Sequence, residues 1–332
     1  MPGTPSTPTN LERQIRSQPD ELSRLLSSGA LRAQILAASE GLQRAHRIWL
    51  IGTGTSQHAA ELGAAMLNQA GRAATAVPSM HFVSWAPVLG PKDVIVTISH
   101  TGETAYARSA RTQAFLAGLN VLTITREGSG LPDAIETVPK ETSETYTVSY
   151  TATLLALGML ASSLGAEGLT DDALAAVPGA VAATLADPGI DTIPASRVLV
   201  LAGAGPASVT AREGALKVRE ASRSLAEGFD AEYLLHGSAV PLTAEDHLVA
   251  LAPPDDDGLT EGVATAAEAA GLQVTRLSEP APLPAVLAQI PLTVRLQLLA
   301  LRFARERGQD PDTVIMGSWA DENLWALGGP RA

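Results

Sequence analysis

The sequence predicts an α/β protein made of two tandem, doubly wound domains with parallel sheets. Two observations carry this. Short apolar runs ending in glycine-rich turns alternate with helical stretches, the pattern of a parallel sheet covered on both faces by right-handed crossovers. The order of these runs in the first half also recurs in the second. The 332 residues, 45% of them apolar, suffice for two cores of ordinary domain size.

Met1 to Asn10 is Pro/Thr-rich and lacks the basic and apolar regions of a secretory signal, so a short disordered arm is expected. Leu11 to Ser39 carries apolar residues at helical spacing, and Gln18-Pro19-Asp20 predicts a break between two entry helices. Arm and entry segment run over 1–30 and the first domain over 31–186. Arg47-Ile48-Trp49-Leu50-Ile51-Gly52-Thr53-Gly54, followed by a helical pattern from Gln57 to Gly71, is strand, turn and helix. The same grammar returns in Arg197-Val198-Leu199-Val200-Leu201-Ala202-Gly203-Ala204-Gly205 and the helix-forming stretch Val209 to Arg223. Asp93-Val94-Ile95-Val96 is matched by Asp246-His247-Leu248-Val249, and Gly118-Leu119-Asn120-Val121-Leu122 by Gly271-Leu272-Gln273-Val274-Thr275. A helix from Ala152 to Leu164 closes the first domain, and Asp187-Pro188-Gly189 to Pro194-Ala195 is a turn-rich break. The second domain covers 190–315 and a tail 316–332, where Trp319 and Trp325 are expected to be packing anchors.

The net charge of −12 argues against a nucleic-acid partner, since such binding draws on Lys and Arg neutralising phosphates. Lys occurs only at Lys92, Lys140 and Lys217. Apolar runs such as Leu154 to Leu164 fall short of the roughly 20 residues that span a bilayer, so no membrane role is expected. The absence of cysteine excludes disulfides and thiolate chemistry and fits a cytoplasmic location. His46, His58, His81 and His247 have no partners at ligand spacing, so neither a metal nor a cofactor is expected.

Ligands of open α/β sheets bind beyond the carboxyl ends of the strands. There lie Gly52-Thr53-Gly54-Thr55-Ser56 and Ser99-His100-Thr101-Gly102-Glu103-Thr104, two hydroxyl-rich loops that open helices. Hydroxyls and the free N–H groups of a helix start can hold a phosphate dianion without lysines. Helix capping and turn formation by Ser99, Thr101 and Thr104 is the alternative reading. Gly52-x-Gly54 without a third glycine makes dinucleotide binding the poorer choice, and a Walker loop is absent.

These two loops resemble the phosphate-sugar signatures of SIS (sugar isomerase) domains. Glu213-Gly214-Ala215-Leu216-Lys217-Val218-Arg219-Glu220-Ala221-Ser222, with Ala226-Glu227-Gly228-Phe229 and His236-Gly237 following, is similar to a segment of the glutamine–fructose-6-phosphate aminotransferase family. The resemblance runs from Leu11 to Asp312 and implies two flavodoxin-like SIS domains, equivalent to that family's isomerase half, that bind a sugar phosphate. It implies binding by Thr55, Ser56, Ser99, His100, Thr101, Thr104 and Ser149, the last in a loop from Glu144 to Thr151. His100 and Thr101 depart from the family's phosphate loop.

Aldose–ketose interconversion opens the ring and moves a proton between C1 and C2. The resemblance implies Glu220 for proton transfer, His236 for ring opening, supplied across a homodimer interface, and Lys217 polarising oxygens in the site. Read without it, Lys217 and Glu220 are an ordinary ion pair one helical turn apart and His236 is a loop histidine. Glu227 also matches a family Glu, with helix-end solvation as its alternative. These residues include no counterpart of the family's glutaminase domain and no cysteine, so glutamine-dependent amination is not expected, and the tail has no Lys for a Schiff base. Leu235 replaces a second family Lys. The expected function is isomerisation, or deamination with isomerisation, of a sugar phosphate, expected to be an aminosugar phosphate; the alternative is a non-catalytic sugar-phosphate-binding regulator.

Overall fold

The computed structural model describes residues 7–85, 87–252 and 257–330. Helices α1 (Asn10–Ser27) and α2 (Gly29–Gln43) lead into β1 (Arg47–Gly52), α3 (Thr55–Gln69), β2 (Ala74–Pro78), α4 (Ser79–Ser84) and β3 (Asp93–Ile98). Then come α5 (Ala105–Leu116), β4 (Asn120–Thr125), β5 (Ala134–Glu136), α6 (Val148–Ser163) and α7 (Asp171–Ala186). The second half holds β6 (Leu199–Gly203), α8 (Pro206–Ser222), β7 (Ala226–Asp230), α9 (Ala231–Tyr233), β8 (His247–Ala252), α10 (Leu259–Ala269), β9 (Gln273–Ser278) and α11 (Ala285–Glu306), and the short α12 (Glu322–Ala326) lies in the tail.

All pairings are parallel, in the orders β2-β1-β3-β4-β5 and β7-β6-β8-β9. The second sheet repeats the first without its fifth strand, and both follow the flavodoxin-like order. Small features repeat with it. Asp93 pairs with Arg47 at the foot of the first sheet, and Asp246 with Arg197 at the foot of the second. Gly63 of α3 lies so close to Leu50 and Leu157 that a Cβ would fall 2.8 Å from Leu157 Cδ1. Gly214 of α8 lies in the same way against Leu201 and Leu296.

The halves share one core. Successive strand residues point to opposite faces, and Ile48 and Leu50, like Leu199 and Leu201, point into a single cluster that also takes in α1, α6, α7, α8 and α11. The opposite faces carry separate smaller clusters, one around Ile51 and Ile95 and one around Val200 and Leu248. The expected two cores are therefore one shared core and two outer layers.

The entry segment contains two helices, but they part at Ser28, the N-cap of α2, and not at Pro19. Pro19 cannot donate to the Ile15 carbonyl; Gln18 Nε2 does so at 3.0 Å, and α1 runs on unbroken. Thr9 caps α1, while residues 1–6 of the expected arm lie outside the described residues. The longest apolar helix is α11, which has the length and hydropathy of a membrane span, but 89% of its apolar window is buried inside the protein. It is a core helix.

Candidate active site

The carboxyl ends of β1 and β3 and the starts of α3 and α5 open onto a cavity of ≈ 940 Å³. Gly54 precedes α3 with φ 55° and ψ −130°, a conformation that favours glycine, and the turn presents Thr55 and Ser56 at the start of α3. Thr55, Ser56, His100, Thr101, Thr104 and Ser149 all line the cavity, as does Glu220 from the last turn of α8. Ser149 is on the first turn of α6, which begins at Val148; the expected loop is shorter than the sequence suggested.

The reason for the early start of α6 is Glu141. Its buried carboxylate accepts from the Thr147 amide at 3.1 Å and the Ser149 amide at 2.8 Å, groups that would be unpaired at a helix start. Burial pushes this carboxyl above the usual range despite those bonds. The Glu141 amide in turn donates to His100 Nε2 at 3.0 Å. That bond makes Nε2 an acceptor, so the ring is neutral. Burial, then the charges of Arg126 and Lys140, lowers its pKa to about 4. His100 faces the cavity as an uncharged ring.

Ser99 stands apart. It is buried, its Oγ accepts from Gly102 N at 3.2 Å, and it lines a separate cavity of ≈ 320 Å³ behind the loop. The turn-forming alternative is the one its geometry fits. Thr101 Oγ1 likewise accepts from Glu103 N, but Thr101 remains in the main cavity wall.

Lys217 is completely buried and is not part of that wall; it meets the site through Glu220. Its Nζ lies 2.5 Å from Glu220 Oε2 and 3.5 Å from Glu213 Oε1. Burial alone would depress this ammonium; the carboxylates of Glu220 and Glu213 outweigh it and hold its pKa above the ordinary lysine value. Glu220 is pushed the other way from a simple ion pair: burial and the nearby Glu213 charge raise it more than Lys217 lowers it.

Two residues of this network were passed over in the sequence. Glu213, fully buried, accepts from Thr55 Oγ1 at 3.2 Å and sits 2.6 Å from His58 Nδ1. His58 follows Thr55 by three positions, which puts both on one face of α3, and that spacing was the available signal. The pair joins α3 to α8, the helix that carries Glu220.

His236 does not line the cavity. It is exposed on a π-type turn, Leu234–Ser238, where Gly237 takes φ 108°. Glu227 is exposed on β7. Among the described residues no cluster of His, Asp and Glu is arranged to hold a metal. Trp319 and Trp325 are not anchors: they are 74% and 57% exposed and form part of the cavity roof. Neither belongs to a buried apolar cluster, because both face the cavity and not the core.

Comparison with known proteins agrees with this geometry. Residues 41–163 match the SIS domain family. Glutamine–fructose-6-phosphate aminotransferase (isomerizing) of Gloeobacter violaceus is 30% identical over 309 residues, 80% of this chain and 50% of that protein. The chain thus spans about half the length of such relatives. Among solved structures, tagatose-6-phosphate ketose/aldose isomerase from Escherichia coli superposes with a TM-score of 0.82 at 21% identity, covering 95% of this chain and 98% of that one. The C-terminal domain of glucosamine-fructose-6-phosphate aminotransferase from Francisella tularensis gives 0.75 at 21% identity, covering 94% and 99%. These two likenesses establish the fold. Residues 41–163 are a SIS domain, and over 80% of its length the chain is homologous to the isomerase half of glutamine–fructose-6-phosphate aminotransferase.

Proposed function

We propose that this chain interconverts the aldose and ketose forms of an aminosugar phosphate. The observation that carries the reading is one cavity in which hydroxyl-bearing helix starts face Glu220, a carboxyl raised by burial. The hydroxyls of Ser56, Thr101 and Thr104, with the N–H groups opening α3 and α5, hold the phosphate, while the Thr55 hydroxyl donates to Glu213. Glu220 then takes the proton from C2 of the open-chain aldose and returns it to C1. A raised carboxyl suits both halves of that transfer, since it is a stronger base than an ordinary glutamate and holds the proton between the two carbons. Lys217, from behind, keeps the carboxylate in place. Where C2 bears an amine, the same transfer yields an imine at C2, and water hydrolyses it to the ketone with release of ammonia. Ring opening falls to His236 of a second copy, in a homodimer.

A binding-only regulator is the competing reading. A coupled assay with glucosamine 6-phosphate and hexose 6-phosphates, reading ammonia and ketose phosphate separately, decides between them. Turnover is expected, and Glu220→Gln should lower kcat by roughly 10²–10⁴-fold while sugar-phosphate binding persists. Silence of the wild type together with thermal stabilisation by a sugar phosphate would establish the regulator.

A further inference from the structure

The cavity has two unlike ends. One is the hydroxyl-rich floor already described; the other is a roof made by the tail, where Ile315, Trp319, Leu324, Trp325 and Leu327 present apolar side chains to the same space. The tail is fastened at both sides of the mouth. Near its start, Glu144 accepts from the amides of Val314 at 2.6 Å and Ile315 at 3.1 Å, and Arg223 reaches the Thr313 carbonyl. At its far side Gly328, with φ 78°, lies flat against the Tyr106 ring, so close that a Cβ would fall 2.1 Å from Cζ. Between these points Trp325 Nε1 donates to the Trp319 carbonyl at 2.6 Å, fixing the two indoles relative to each other.

Among its side chains this roof offers sugar hydroxyls only the Trp319 indole N–H, because the indole N–H of Trp325 is already engaged and Ile315, Leu324 and Leu327 have no polar side-chain atom. The volume, ≈ 940 Å³, is at the upper end of the roughly 300–1,000 Å³ typical of small-molecule sites, and a monosaccharide phosphate leaves much of it unfilled. Exposed tryptophans grouped at the mouth of a pocket are surface that gains by being covered.

We propose that the substrate is a sugar phosphate carrying an apolar, preferably aromatic, substituent, and that the tail roof is the subsite for that substituent. The inference rests on the reading of the site as a sugar-phosphate cavity. The phosphate occupies the floor between α3 and α5, the sugar carbons lie beside Glu220, and the substituent extends beneath Trp319 and Trp325. Aromatic rings stack offset or edge-on with indoles, which favours an aryl group over an alkyl one of equal size.

Titration calorimetry with glucosamine 6-phosphate and with its N-phenylacetyl derivative tests this on the full chain. The derivative is expected to bind roughly tenfold tighter or better, and in the double variant Trp319→Ala/Trp325→Ala the ratio of the two affinities should fall to about one. Both tryptophans are solvent-exposed, so the variant is expected to keep the wild-type unfolding temperature, checked by circular dichroism. Equal binding of the two ligands by the wild type would overturn the inference and leave the sugar-phosphate reading standing. A ratio that survives the double variant would overturn the roof as the subsite. Binding of neither ligand would overturn the sugar-phosphate reading itself.

Discussion

His100 shows how a single buried side chain ties stability to acidity. Its ring is held neutral by burial and by the Glu141 amide, with its pKa lowered to about 4. The unfolded chain takes up the proton near pH 6.5, before the folded one does. The stabilisation by the neutral ring is therefore complete above pH 6.5 and is lost as pH falls from there toward about 4. In His100→Gln that titration is gone. Between pH 7.5 and pH 5 the Tm of the wild type should thus fall further than that of the variant, a difference that differential scanning calorimetry reads directly. The sequence marked His100 as a departure from its family's phosphate loop but could not show its bonding, because the partner amide lies on a loop distant in the chain. For the same reason Glu213 and His58 escaped notice: each is ordinary on its own helix, and their meeting at 2.6 Å depends on how α3 packs against α8. The places of Glu220, Thr55 and Ser56 on the cavity wall were legible because turn chemistry and a distinctive segment put them at element ends.

Elements depart from sequence expectation where a side chain takes over a backbone duty. Pro19 is read as a breaker by general rule, yet α1 continues because Gln18 satisfies the Ile15 carbonyl, while its Oε1 accepts from Thr151 at 2.6 Å and its Nε2 also donates to Gln297 at 2.8 Å. Gln18→Ala strands the Ile15 carbonyl and Gln297 Oε1, while the Thr151 hydroxyl keeps the Val148 carbonyl at 3.3 Å, and should destabilise the protein by about 2–3 kcal/mol, given about 1–3 kcal/mol for each unsatisfied group and partial relaxation. Adding Pro19→Ala supplies a new amide for the Ile15 carbonyl, so the double variant should recover part of that loss in urea unfolding. Glu141 acts in the same manner at the start of α6, and that is why a stretch rich in Thr and Ser, expected as loop, is helical from Val148. Strands were read more faithfully, since a buried parallel strand needs only a short apolar run closed by glycine. The tail was misread because tryptophan is ordinarily buried, and nothing local in the sequence reveals that Trp319 and Trp325 face a cavity.

Across the whole molecule, the shared core makes the halves mutually dependent. Leu11, Ile15 and Leu22 of α1 are fully buried in the same cluster as Leu287, Leu296 and Leu299 of α11, and Asp312 accepts from the Asn10 and Leu11 amides, both at 2.7 Å. A chain with two separate cores would melt in two steps. This one is expected to give a single calorimetric transition whose van't Hoff and calorimetric enthalpies agree; two resolved transitions would contradict a common core. The internal repeat was visible in the sequence because strand-turn-helix grammar is local, whereas the fusion of the two inner faces is a long-range outcome of which strand residues point where. The repeat is unequal in one respect. The turn at Gly205 has φ 52° and ψ −129°, nearly identical to Gly54, but it is followed by Pro206 and Ala207 in place of Thr55 and Ser56. The second turn keeps the backbone shape without hydroxyls at those two positions, so of the two matching turns only the first offers hydroxyls to the cavity, and the second half contributes a carboxylate from the far end of its helix instead.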